Sequence, residues 1–183
     1  MKEQRKEGPN TDVGTGPMGQ PVIVSGGQTG VDRAALDAAL AIGWPCGGWC
    51  PQGRLAEDGV IPDQYPLTEL KRGGYAARTR RNVEDSDGTL VIYFGRPSGG
   101  TALTEKYCRQ TQRPLLSVNG NHTPPREAAR AIARFVRTHN ITRLNVAGPR
   151  ASGEPKAYDY TRKALGSYLE GLEKGVSRTK QPT

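Results

Sequence analysis

The sequence predicts an α/β domain built on a parallel sheet with helices on both of its faces, and three observations predict it. Short apolar runs alternate with stretches of helical periodicity, the pattern of consecutive βα units. Two of the runs, Val22–Val24 and Thr89-Leu-Val-Ile-Tyr-Phe94, are apolar without interruption, as strands covered on both faces are. Four Gly-rich turns, at 25–30, 95–101, 119–121 and 148–153, follow apolar runs directly. They therefore gather at the carboxyl ends of the strands, where open sheets of this kind bind ligands.

The first unit carries most of the argument. Pro21-Val-Ile-Val-Ser25-Gly-Gly-Gln-Thr-Gly30-Val-Asp32-Arg33 reads as a buried strand, a tight turn and the start of an alanine-rich helix that closes at Gly43. The amides of a helix's first turn, together with its dipole, favour an anion. Gly26, Gly27, Gln28, Thr29, Gly30, Asp32 and Arg33 are therefore candidate ligand contacts. Thr29 and Asp32 have the spacing of a capping pair. In the plainer reading the glycines only turn the chain and Asp32 only caps the helix. No Gly-Lys-Ser/Thr follows, so this is not a Walker loop, and G-G-x-x-G differs from the dinucleotide fingerprint G-x-G-x-x-G.

The bulk composition narrows the partners. At 183 residues one domain with a real core is expected. The formal net charge of +8 favours anionic partners such as phosphates and nucleotides. Only 11 residues are aromatic (7 Tyr, 2 Trp, 2 Phe), and of these only Tyr75 lies among the cations of 71–81, so no nucleic-acid partner is expected. No apolar run reaches transmembrane length, and 1–7 has no apolar segment of a secretory signal, so no membrane partner and a cytoplasmic location are expected. Three cysteines fit free buried thiols, and the C-x₃-C spacing of Cys46 and Cys50 lacks a second pair, so no structural metal is expected.

Taken in order, residues 1–19 read as a disordered tail, 20–172 as a single ligand-binding domain and 173–183 as a second disordered tail. The 44–62 stretch is too rich in Gly and Pro for regular structure, yet it holds both tryptophans, so it reads as a shaped loop whose Arg54, Glu57 and Asp58 either pair together or rim a pocket. A helix over 75–85 puts Arg78, Asn82 and Asp85 on one stripe, a polar wall for a ligand or a solvated face. The strand Thr89-Leu-Val-Ile-Tyr-Phe94 leads into Ser98, Gly99, Gly100 and Thr101 and a helix over 102–112, a second candidate anion turn. Glu105, one turn in, either faces the same mouth or compensates the dipole. A strand over 114–118, a helix from Pro124 to 139, a strand over 141–147 and a helix over 154–170 complete the chain. The first strand and the 89–94 strand are expected to flank the point where strand order reverses, bringing both anion turns to one crevice.

Several of these motifs together resemble a known family. Ser25-Gly-Gly-Gln-Thr-Gly-Val-Asp-Arg33, Gly47-Gly-Trp-Cys-Pro51, Glu57-Asp-Gly59, Arg78-Thr79, Asn82-Val83, Asp85-Ser-Asp87, Ser98-Gly-Gly-Thr101 and Asn145-Val-Ala-Gly-Pro-Arg150 are similar to those of the molybdenum cofactor carriers, within the Lonely-guy (LOG)-like Rossmann superfamily. The resemblance covers about 20–170. It implies a three-layer Rossmann-like fold, self-association as a dimer or tetramer, and a small phosphorylated heterocyclic ligand, the molybdenum cofactor (molybdopterin). Arg78 and Asn82 would complete its anion and heteroatom contacts. The alternative is a LOG-like phosphoribohydrolase that cleaves the N-glycosidic bond of nucleoside 5′-monophosphates, with Arg78 and Glu105 catalytic. Against that enzyme pattern, Pro97-Ser-Gly-Gly-Thr101 departs from P-G-G-x-G-T, and Glu105 falls four residues after the Thr instead of three. One residue on a helix is about 100° of rotation.

Overall fold

In the computed structural model, residues 20–179 are described, so the expected 1–19 tail lies outside them. Five strands form a parallel sheet: β1 (Val22–Val24), β2 (Cys46–Gly47), β7 (Gly88–Tyr93), β8 (Leu115–Asn119) and β9 (Arg143–Ala147). Their order across the sheet is β2-β1-β9-β7-β8. The sequence reading placed the reversal between the first strand and the 89–94 strand. Those strands do flank it, but the last strand of the chain, β9, stands between them and pairs with both.

The helices are α1 (Val31–Leu40), α2 (Tyr75–Glu84), α3 (Gly99–Gln110), α4 (Pro125–Thr138) and α5 (Ala157–Thr179). From the reversal, β1 steps outward to β2 and β7 steps outward to β8, in opposite directions. Right-handed crossovers then put α1 and α3 on opposite faces of the sheet. α5 packs between α1 and α4 on one side, and α2 packs on α3 on the other, giving the three layers. α5 runs to Thr179, well beyond the residue 170 at which the sequence reading ended the last helix.

Each element follows from its residues. α1 is buried almost all round by Val31, Ala34, Ala35, Leu36, Ala38 and Ala39. α4 buries Ala128, Ala129, Ile132, Phe135 and Val136 and turns Arg126, Arg130, Arg134 and Arg137 outward. Its start is set by Pro125, whose missing N–H costs nothing in the first turn. β7 buries Leu90, Val91 and Ile92 completely.

The 44–70 segment is shaped, as its tryptophans suggest. It contains β3 (Trp49–Cys50) paired in parallel with β6 (Thr68–Glu69), and a hairpin of β4 (Leu55–Ala56) and β5 (Gly59–Val60). Arg54 staples it: its guanidinium donates to the carbonyls of Ile61, Leu67, Pro62 and Tyr65 at 2.9–3.1 Å. Trp44 is buried and donates from Nε1 to Pro21 O at 2.9 Å. Cys46, Cys50 and Cys108 are free and buried, and burial, with Asp37 nearby, pushes the Cys46 thiol up to about 11. Among the described residues no group of three His, Cys, Asp or Glu could hold a metal ion, and no helix is long and apolar enough to cross a membrane.

Candidate functional site

A cavity of about 580 Å³ opens at the carboxyl ends of β1, β9 and β7. Its size is that of a small-molecule site. The walls come from the turn after β1 and the start of α1, one side of α2, the turn that opens α3, and the turn between β9 and α5.

Arg78 is a buried cation in the wall of this cavity. It reaches the wall from α2, its side chain is 10% exposed, and its Nη1 donates to Asp32 Oδ2 at 2.7 Å. Its Nε is buried without any hydrogen-bond partner. Such a group is costly unless something pairs with it. Burial pushes the Asp32 carboxyl up from its ordinary range, against the charge and hydrogen bond of Arg78 and backbone hydrogen bonds from Gln28 and Gly26. Gly26 is required here, because a Cβ on it would lie 1.8 Å from Arg78 Nη1.

The structure sorts the predicted residues of the first turn. Gln28 and Asp32 line the cavity; Gly26, Gly27, Thr29, Gly30 and Arg33 do not. The capping pair is not formed. No side chain caps α1: Thr29 Oγ1 donates to Glu57 Oε1 and accepts from the Ala151 amide at 3.1 Å, while the Asp32 carboxylate turns back onto its own loop. The amides expected to face an anion are largely used by the protein itself. Those of Gly26 and Gln28 go to Asp32, that of Thr29 to Gln28 Oε1 at 3.0 Å, and that of Val31 to Pro149 O at 3.2 Å. Gly30, with φ +73° and Pro149 O only 2.4 Å from where a Cβ would stand, lets the β9–α5 turn come this close. Gly27 packs on Leu67 and Ile61, and Arg33 pairs with Asp58 at 3.2 Å over the ring of Tyr65.

The second turn fares differently. Ser98, Gly99, Gly100 and Thr101 all line the cavity, at the start of α3. Gly99 and Gly100 are exposed and have open space around them.

On α2 the predicted stripe divides. Arg78 faces the cavity, but Asn82 and Asp85 hold Trp49. Asn82 accepts from the Trp49 amide at 2.8 Å and donates to its carbonyl at 3.0 Å, and Asp85 accepts from Trp49 Nε1 at 2.7 Å. Glu105 lies off the cavity wall. It accepts from Ser117 Oγ on β8 at 3.0 Å and sits 3.9 Å from Arg109. Its carboxylate is turned toward β8. Arg54, Glu57 and Asp58 do not pair with one another as a loop cluster, and none of them lines the cavity.

Sequence reasoning placed the 148–153 turn at the ligand-binding ends of the strands but named none of its residues as contacts, and Gly148, Pro149 and Arg150 line the cavity. The missing information was that β9 sits in the middle of the sheet. Tyr93 and Phe94 also line the cavity, and so does Tyr75 at the start of α2. Their signal was an aromatic end to an otherwise aliphatic strand.

The fold and the site together define a Rossmann-like α/β domain with a cavity at the point of strand reversal. The chain belongs to the circularly permutated YpsA SLOG family, which it matches over residues 23–169. Among solved structures it is similar to a protein of Syntrophus aciditrophicus SB named "Putative molybdenum carrier protein", known from a crystal structure at 1.45 Å resolution. The two are 45% identical with a TM-score of 0.80, over 84% of this chain and 97% of that one. None of the proteins of curated function matches it.

Proposed function

We propose that the protein binds and carries a small phosphorylated heterocycle, and that the molybdenum cofactor is that ligand. One observation carries the reading: a nine-tenths-buried arginine, Arg78, stands in the cavity wall with Nε unpartnered. An anionic group of a ligand in the cavity would pair with its guanidinium. The exposed turn at Gly99 and Gly100, at the positive end of α3, would take a phosphate. Tyr75, Tyr93 and Phe94 would lie against a planar ring. The name borne by the 45% identical Syntrophus protein supports the choice of ligand. When bound, the molybdenum cofactor would be cargo, and this chain's part is to hold the phosphate and shield the ring from water. Self-association as a dimer or tetramer and a cytoplasmic location belong to the same reading. The hydrolase alternative has its assigned carboxylate, Glu105, committed to Ser117 and Arg109 outside the cavity.

The test is retention. Purified protein is mixed with molybdenum cofactor released from a molybdoenzyme and passed through a desalting column. The wild type is expected to elute with the cofactor. Gly100→Trp is expected to elute without it, because open space at Gly100 lets the ring project into the cavity while the helix keeps its backbone. Folded wild type that elutes bare overturns the reading.

A further inference from the structure

We propose that Glu57 is a positioning residue for the ligand site, holding Arg150 at the cavity mouth so that its guanidinium meets the ligand's anionic group. The inference rests on the binding reading above and deepens it. Glu57 sits at the turn between β4 and β5, outside the cavity wall, with its side chain 19% exposed. Its carboxylate joins segments far apart in the chain. It accepts from Thr29 Oγ1 in the first turn, accepts from the Ser152 amide at 3.1 Å and from Ser152 Oγ, and faces Arg150 Nε at 3.4 Å. Its own amide donates to Gln28 Oε1 at 2.9 Å. Two of the residues it touches, Gln28 and Arg150, line the cavity.

Joining the two turns does not need a charge. The Ala151 amide already bonds Thr29 Oγ1, the Val31 amide bonds Pro149 O, and Ser25 Oγ bonds Val146 O at 2.8 Å. What the carboxylate adds is a grip on Arg150. That side chain is 60% exposed, and a long cation so placed would have to be immobilised when a ligand arrives. Holding it beforehand lowers that cost. Burial works to raise the Glu57 pKa, but the bonds from Ser152 and Thr29 and the charge of Arg150 outweigh it and keep the group ionised at neutral pH.

A double-mutant cycle on Glu57→Gln and Arg150→Gln tests this, with released molybdenum cofactor as the probe. E57Q keeps an oxygen for Ser152 and Thr29 but loses the charge that faces Arg150. Each single variant is expected to lose about tenfold in affinity, the scale of lost supporting contacts. The double variant is expected to bind about as weakly as the worse single one, because the two residues act as one device. In ligand-free protein, trypsin is expected to cut after Arg150 faster in E57Q than in wild type. Losses that multiply in the double variant overturn the proposal, as does R150Q binding like wild type. R150Q alters an exposed side chain, so wild-type binding by it overturns the proposal even if E57Q fails to fold. Failure of the wild type to bind is a separate result and falls on the preceding section.

Discussion

Arg78 and Asp32 form a pair in which neither charge could be left alone. Both are buried, and their contact at 2.7 Å joins α2 to α1 in the cavity wall. Removing one partner strands the other in a medium that solvates it poorly. Arg78→Leu is expected to cost about 3–5 kcal/mol of stability, read from urea unfolding, and to abolish cofactor retention. Combining it with Asp32→Leu is expected to restore much of the stability and none of the binding, which separates the arginine's two roles. At this scale the sequence was informative about types and less so about uses. Arg78 could be picked out by its place on a polar helical stripe, and Gln28, Asp32 and residues 98–101 because glycines and charges cluster after strands. Thr29 and Arg33 carried the same signal, yet their partners, Glu57 and Asp58, lie more than twenty residues away on a hairpin that no local pattern announces.

α2 works on two sides. One presents Arg78 to the cavity; the other holds Trp49 through Asn82 and Asp85, with Arg81 pairing to Asp85 at 3.1 Å and lying 5.1 Å from the indole ring. Helical spacing put Arg78, Asn82 and Asp85 on one stripe, but only Arg78 lines the cavity, while Asn82 and Asp85 bond Trp49. Spacing could not say that the 44–70 segment covers its later part. Asn82→Ala would leave the buried Trp49 amide and carbonyl without their side-chain partner. It is expected to cost about 2–4 kcal/mol in urea unfolding and to shift Trp49 emission to the red. A variant of unchanged stability and emission would show that the loop holds its shape without this clamp. The 44–62 stretch read as a packed loop because two tryptophans are too much apolar area to leave in water. Its two-residue strands are too short to carry any period.

Across the whole molecule, the alternation of strands and helices made the layers and the parallel sheet legible, while the order of strands was not. Pairing between β9 and its neighbours spans more than fifty residues to β7 and more than a hundred to β1, and nothing local encodes it. Asp87 marks that junction. It accepts from the Thr142 amide and hydroxyl at 2.9 and 2.7 Å and from the Arg143 amide at 2.9 Å, fixing the start of β9 beside β7. Burial alone would raise its pKa, but these bonds and the charge of Arg113 hold it below the ordinary carboxylate range. A depressed folded-state pKa adds stability that is complete above the unfolded value of about 3.9 and lost as pH falls through the folded one. The stability gap between wild type and Asp87→Asn is therefore expected to be widest near neutral pH and to close in acid, as urea midpoints from pH 2.5 to 7 would record. A gap that stays constant over that range would count against the assignment.

The central place of β9 also sets a schedule for synthesis. Until residue 147 has left the ribosome, the native pairings open to the chain are β1 with β2 and β7 with β8, with no native ladder between the two pairs. The nascent chain must keep two sets of exposed edges apart for most of its translation. It then unites them with a single late insertion that creates the crevice and locks the domain in the same event.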